Sequence, residues 1–355
     1  MYSDRPNFEI SLFDAPAETA GFNDDKEKFM KAIVRQGYGG PDMLAIREVP
    51  DPQPVPGEVM LRVRAFGINR AEQYFRQGLW GDVAQISGIE CVGEVLADPS
   101  GALLPGQRVM ALMGGLGRTR SGSYAEKVNA PAANVVPVRT RLDWAALAAL
   151  PETWATAWSC LHDNLGVRRG DVVLVRGATS ALGQAALGLA RHAGATVVAA
   201  VRHADRAGVA QAKGAHHALV EGPGLAGELK ALAPGGVDAV LDLVGTTTLL
   251  ESLRLARRGG RVCMAGFVGG GGPIERFDPL QHLPSGRQLS FFASAFVYGT
   301  PEYPLADVPL QRIVDLVEAG VLDAAPARQF AFDEIRRVHE LLDAEAAGGK
   351  MVVVV

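Results

Sequence analysis

Residues 177–183 read Gly-Ala-Thr-Ser-Ala-Leu-Gly, a run of mostly small side chains between an apolar strand and an Ala-rich helix. Val172 to Val175 form the strand, an unbroken apolar stretch of the kind buried on both faces. The helix runs to about Ala193, and Gly194 stands where a helix C′ residue belongs. Such a turn aims the unpaired amides of a helix N-terminus at one point, where the dipole favours an anion. The backbone of Thr179, Ser180, Ala181, Leu182 and Gly183 is then the expected cradle for a pyrophosphate. The dinucleotide fingerprint Gly-x-Gly-x-x-Gly falls on Ala178, Ser180 and Gly183, so only its last glycine survives. Taken alone, the run is equally an ordinary strand-to-helix turn.

Which nucleotide it would hold is written at the next strand end. An NAD site places Asp or Glu about 20 residues after the glycines to bond the ribose 2′-OH, whereas an NADP site offers Arg. The second strand, Ala195 to Val201, ends on Arg202 and has no acid at its tip. Arg206 follows one helical turn later, so two guanidiniums can grip a 2′-phosphate through charge-assisted bonds. Asp205 is explained as a first-turn residue complementing the helix dipole. The expected cofactor is NADPH; the alternative for both arginines is a solvated surface pair.

The elements that must position these groups alternate. A helix is expected over Ala204–Lys213, strands over Ala218–Val220 and Val237–Leu243, a helix over Thr247–Arg257 and a fifth strand over Arg261–Ala265. That alternation indicates an α/β unit, a doubly wound parallel sheet with right-handed crossovers. Ligands of such sheets sit at the carboxyl ends of the strands. Val244 after the fourth strand, and Gly266 and Phe267 after the fifth, are therefore expected to line the nicotinamide ribose. The glycines at 269–272 give that loop freedom to move. Ahead of this unit lie short strands punctuated by Gly and Pro: Lys31–Val34, Val59–Ala65, Gly88–Leu96, Arg108–Leu112 and Ser123–Val128. They read as a β-rich, partly barrel-like domain. Asp143–Ala149 begins a helical passage, and Pro151–Leu161 reads as a helix leading into the cofactor unit. Pro309–Ala319 and Asp333–Ala346 follow as amphipathic helices, and the closing strand Met351–Val355 is expected to return to the β domain.

Composition narrows the function classes. A chain of 355 residues suits about two domains. Its net charge of −4 and lack of a basic stripe argue against a nucleic-acid partner. No apolar run approaches the roughly 20 residues of a membrane-spanning helix. The three cysteines, Cys91, Cys160 and Cys263, are scattered and odd in number, which reads as reduced thiols in a cytoplasmic protein. The seven histidines form no constellation, and no Gly-x-Ser-x-Gly elbow supports a hydrolase. Residues 1–29 fit neither a secretory signal nor a transit peptide and read as a loosely held extension, with Phe8–Phe13 as its one segment able to dock.

The order of landmarks resembles the medium-chain dehydrogenase/reductase superfamily, in its zinc-free quinone oxidoreductase branch. The matching stretches are Lys31–Val34 with Gly39-Gly40-Pro41, Pro56–Val59, Gly67-Ile68-Asn69, Gly88–Gly93, Pro105–Val109, Gly122–Glu126 and Gly348–Val352. The resemblance implies a GroES-like catalytic domain over residues 30–155, completed by 300–355, and a Rossmann domain over 156–299. Where zinc relatives carry ligands, this chain has Asn69-Arg70-Ala71-Glu72, Gly88-Ile89-Glu90 and, for the four-cysteine lobe, Met113–Ser121. No metal is expected, and Glu90 is read as one member of a buried hydrogen-bonded pair. In the quinone reductases an Asn and a Tyr five residues later look toward the nicotinamide, which implies that role for Asn69 and Tyr74. A phenol can donate to a developing oxyanion and stack on a flat acceptor, although packing is the alternative for Tyr74. Trp80 is a candidate pocket wall. Thr156 matches a family Thr that contacts the cofactor near the hinge, with helix capping or back-bonding as its alternative. The implied function is an NADPH-dependent reductase of a quinone or α,β-unsaturated carbonyl; a catalytically silent redox sensor or scaffold of the same fold is the other reading.

Arg287–Tyr298 (RQLSFFASAFVY) is apolar, aromatic and follows the fifth strand. As the terminal strand of an open sheet it would expose unpaired backbone and aromatic surface. A homodimer through Leu289–Tyr298, with Phe292 and Phe296 at the contact, is therefore expected. The alternative is that Pro301–Leu310 folds back over this edge.

Overall fold

Apolar runs too continuous to face water on either side become the centre of a six-stranded parallel sheet. The computed structural model describes residues 28–355. Across the sheet the strands lie in the order His217–Val220, Thr196–Val201, Val172–Arg176, Val237–Asp242, Ala256–Met264, Gln288–Phe291. Every neighbouring pair is parallel. Chain order thus reverses between Val172–Arg176 and Val237–Asp242, the crevice where ligands of open α/β sheets bind. Val173, Leu174 and Val175 in the first of these strands are fully buried.

A second, seven-stranded sheet carries the β-rich part. Arg328–Ala331, Met351–Val354, Glu58–Gly67, Glu90–Ala97, Arg108–Leu112 and Val135–Pro137 follow in that order, and Lys127–Pro131 also pairs with Glu58–Gly67. The closing strand returns to this sheet as expected, with Val352, Val353 and Val354 antiparallel to Gly67, Phe66 and Ala65. The chain therefore folds as a GroES-like β-rich part and a Rossmann-like parallel sheet. An antiparallel pair, Phe29–Arg35 with Leu44–Pro50, forms a separate two-stranded sheet. The reading of residues 1–29, including Phe8–Phe13, falls outside the described residues except at Phe29, which opens the first strand.

Several expectations need correction. The strand expected at Ser123–Val128 begins instead at Lys127. Residues 122–124 spend their amides on the turn at 86–88, Gly122 on Ile86, Ser123 on Gly88 and Tyr124 on Ser87, so the regular ladder starts later. The helix Leu225–Leu232 and the strands Leu44–Pro50, Val135–Pro137 and Arg328–Ala331 add to the expected elements. Phe292 does not face outward: it is 3% exposed and packs on Tyr298 and Tyr303, with ring centroids at 5.5 and 5.9 Å. Adjacent residues of an extended chain point to opposite sides, so Phe291 stays 54% exposed while its neighbour is buried. No helix among the described residues is long and apolar enough to cross a membrane.

Candidate active site

The surviving fingerprint glycine has a steric reason. A Cβ on Gly183 would lie 2.5 Å from the Gly177 carbonyl oxygen and 2.7 Å from the Ala178 backbone, so the helix can seat on the turn only without one. Gly177 takes the left-handed backbone, with φ at +72°. The helix Ala181–His192 starts at Ser180, whose hydroxyl accepts from the Gly183 amide at 3.0 Å. The Gln184 amide closes on the Ser180 carbonyl. Among the described residues the amides of Ala181 and Leu182 have no acceptor, the two donors an anion would use. Thr179 turns its carbonyl to the Gln184 side chain (2.9 Å), which also reaches the Gly348 carbonyl (3.2 Å). The carboxyl-terminal segment of the β-rich part therefore lies against the turn.

At the next strand end Arg202 is engaged rather than free. Its guanidinium donates to Glu345 at 2.5 Å. Arg206 is half-buried at the start of the following helical turn, with no hydrogen-bond partner for its side chain among the described residues. Val244 and Gly245 point their amides at Asp242, at 3.0 and 3.1 Å. That buried carboxylate also accepts from the hydroxyls of Thr248 and Ser252. The loop bearing Gly266 and Phe267 is pinned to the same crevice, Val268 and Gly269 donating to the carbonyls of Leu243 and Val244. Its glycines therefore serve close packing as well as freedom: a Cβ on Gly266 would sit 2.8 Å from the Leu243 carbonyl oxygen.

Tyr74 faces this loop. It sits on the helix Arg70–Gln77, and its hydroxyl lies 3.4 Å from the Phe267 carbonyl. That is longer than a good O–H···O bond, so the phenol can turn to a nearer acceptor. The helix itself is held rigidly. Arg76, 1% exposed, donates to Asp343 (2.5 Å), to His339 Nδ1 (3.2 Å) and to the Gly39 carbonyl. A guanidinium only donates, so His339 is neutral and its Nε2–H faces the Tyr124 hydroxyl at 3.2 Å. Burial and the Arg76 charge hold this imidazole down at about 3. On the Tyr74 helix, Ala71 and Phe75 border a small cleft of about 20 Å³ whose other walls include Trp80, Ile89, Met113 and Arg118. Trp80 stacks on Phe296 at 5.9 Å. A larger groove of about 470 Å³ lies elsewhere, between Met30, Val49 and Asn129, and contains none of the expected site residues.

Asn69 is placed differently from Tyr74. Its side-chain amide donates to Glu90 Oε1 at 2.8 Å, and its carbonyl oxygen accepts from Lys350 at 2.7 Å. Lys350 and Glu90 form a buried ion pair at 2.5 Å, with side chains 6% and 0% exposed. Glu90 Oε2 accepts from the Glu152 amide (2.6 Å), and the Glu152 carboxyl accepts from the hydroxyl of Thr156 (2.9 Å). Asn69 and Thr156 are thus joined through a buried polar chain. Glu72 accepts from the amides of Asn69 (2.7 Å) and Ile89 (3.1 Å). Burial raises its carboxyl to about 7 against the Ile89 bond and the Lys350 charge, and burial also raises Glu152. Glu90 behaves as the sequence reading expects; its companions Glu72, Glu152 and Lys350 escape that reading. The Asn-x-x-Glu capping pattern at 69–72 is the available signal for Glu72.

Two family models match the chain: an alcohol dehydrogenase GroES-like domain over residues 55–140 and a zinc-binding dehydrogenase over 181–308. A 2-haloacrylate reductase from Burkholderia sp is 30% identical over 338 residues, covering 91% of this chain and 98% of its own length. The human quinone oxidoreductase is 26% identical, covering 92% of this chain and 98% of its own. A mycobacterial protein solved in complex with NADPH superposes with a TM-score of 0.80 at 28% identity, covering 92% of this chain and all of its own. With the two sheets, their crevice and this kinship together, the chain belongs to the medium-chain dehydrogenase/reductase superfamily, in its quinone oxidoreductase-like branch, and is an oxidoreductase.

Proposed function

We propose that the protein is an NADPH-dependent, zinc-independent reductase of a flat conjugated acceptor, a quinone or an α,β-unsaturated carbonyl. The carrying observation is the placement of the Tyr74 hydroxyl, 3.4 Å from the Phe267 carbonyl in the loop that follows the strand Ala256–Met264. The crevice suits the cofactor: orphan amides at Ala181 and Leu182, no Cβ at Gly183, and Arg202 with Arg206 at the second strand end. Bound there, NADPH would supply the hydride. The protein's part is positional. Residues 179–183 would hold the pyrophosphate and Val244, Gly266 and Phe267 would line the nicotinamide end, while the Asn69–Glu90–Glu152–Thr156 chain keeps Asn69 and Thr156 in place. Tyr74 donates its phenolic proton to the acceptor oxygen as charge develops there. The donor set does not fit zinc, because Ile89 is apolar and Glu90 is already neutralised by Lys350. A retained Tyr74 favours turnover over a silent sensor.

Turnover of NADPH against small quinones and enones tests this reading, with and without a chelator. Activity in chelator with substoichiometric metal is expected, and Tyr74→Phe should lower kcat at least about tenfold with NADPH affinity nearly unchanged. Absence of turnover with both classes would favour the sensor reading; loss of activity to chelator would overturn zinc independence.

We also propose a homodimer through the edge strand Gln288–Phe291. Leu289, Phe291 and Phe296 are 44, 54 and 55% exposed there, and the strand has pairing on one side only. The buried Phe292 takes no part in this contact. Light scattering at micromolar concentration should give twice the chain mass, reduced toward one chain by Phe291→Lys; a wild-type monomer excludes the dimer.

A further inference from the structure

Arg202, the residue read as the grip on a 2′-phosphate, already holds an anion of this chain's own. Glu345 Oε2 lies 2.5 Å from its guanidinium, and Glu345 Oε1 lies 4.0 Å from Arg70 at the head of the Tyr74 helix. The backbone at Glu345 closes the helix Ile335–Asp343, its amide donating to the Leu342 carbonyl and the Ala346 amide to the Leu341 carbonyl. Glu345 has φ at +52°, the left-handed region that a side chain other than Gly, Asn or Asp seldom adopts. The segment that follows is tied to the phosphate turn by the Gln184–Gly348 bond. Glu345 thus stands at a helix end in the C-terminal part of the chain, and its carboxylate lies between Arg202 at the strand tip and Arg70 on the Tyr74 helix.

We propose that Glu345 is a specificity-determining residue: an internal carboxylate that occupies Arg202 in place of the cofactor's 2′-phosphate and must be displaced for NADPH to bind. This rests on the NADPH reading given above. The exchange is favourable because a phosphate offers a higher charge and three acceptor oxygens against one carboxylate. Displaced, Glu345 keeps Arg70 as its nearest cation. A cofactor lacking the 2′-phosphate has nothing to put in its place, so Arg202 stays neutralised and the site gains no affinity for NADH from its positive charge. The ion pair is half exposed, so it sets the affinity modestly rather than blocking the site. Consistent with the contact, the Arg202 guanidinium holds the Glu345 carboxyl below the usual carboxylate range.

Calorimetric binding of adenosine 2′,5′-bisphosphate and of ADP to the full chain tests this without turnover. Glu345→Gln should tighten the bisphosphate about fivefold and leave ADP within twofold, a gain that shrinks in high salt. Unchanged or weaker bisphosphate binding in Glu345→Gln, with a wild type that still prefers the bisphosphate, overturns the role of Glu345 and leaves the NADPH reading standing. Equal binding of both probes by the wild type, insensitive to Arg202→Ala, overturns both.

Discussion

Replacing Lys350 with Met is expected to destabilise the β-rich part by about 3–5 kcal/mol, the usual result of orphaning one member of a buried ion pair. The Glu90 carboxylate is fully buried and accepts from three donors: Lys350, the Asn69 side chain and the Glu152 amide. Without the ammonium, its charge sits near Glu72 and Glu152, two further acids whose carboxyls burial already pushes upward. Glu90→Gln with Lys350→Met removes both charges and should recover most of the loss, since the Gln oxygen can still accept from the Glu152 amide while its NH2 donates to the Asn69 oxygen that Lys350 leaves. Urea denaturation followed by a probe in the β-rich part reads the difference. A Lys350→Met variant within about 1 kcal/mol of wild type, close to the error of the extrapolation itself, would mean that the pair is solvated in solution. A double variant no better than the single would mean that Lys350 acts through packing. Since Asn69 is bonded to both partners, part of any turnover loss in Asn69→Ala belongs to this network rather than to contact with the nicotinamide.

The contrast between the parallel sheet and the Glu90–Lys350 pair shows where the chain is readable. The parallel sheet is legible because Val172–Val175, Thr196–Val201 and Val237–Leu241 are apolar almost throughout, as strands with helices covering both faces must be. The phosphate turn is legible in its surviving glycine, whose absent Cβ is a local requirement. Lys350 is not, because 260 positions separate it from Glu90 and nothing near either residue announces the other. The same holds for Glu345, which meets Arg202 across 143 positions. Gly67 lies in this blind region too: a Cβ there would lie 2.3 Å from Glu90 Oε1, a constraint set by a distant carboxylate and not by the strand. Phe292 is a different case, since the signal for its burial is local. Period-two alternation through Ser290-Phe291-Phe292 puts one ring on each side, so only one of the pair could remain on the surface.

Arg202→Asp should invert the cofactor preference. The wild type is expected to bind NADPH at least about tenfold more tightly than NADH, since a charge-assisted bond to the 2′-phosphate contributes about 1.5–3 kcal/mol. Reversing the charge removes that bond and adds repulsion against a dianion, so NADPH affinity should fall by a factor on the order of 100. The introduced carboxylate stands where an acid bonds the ribose hydroxyl of NADH, so NADH should hold its affinity or gain a few-fold. Glu345 limits the gain. With the guanidinium gone, its carboxylate faces the introduced one and retains only Arg70 at 4.0 Å, and the two acids repel within reach of the ribose. Arg202→Asp combined with Glu345→Gln should therefore bind NADH more tightly than Arg202→Asp alone. Fluorescence titration of both cofactors against the three proteins reads every one of these changes. An NADPH-to-NADH ratio unmoved by Arg202→Asp would place the 2′-phosphate elsewhere, with Arg206 the remaining cation at this strand end.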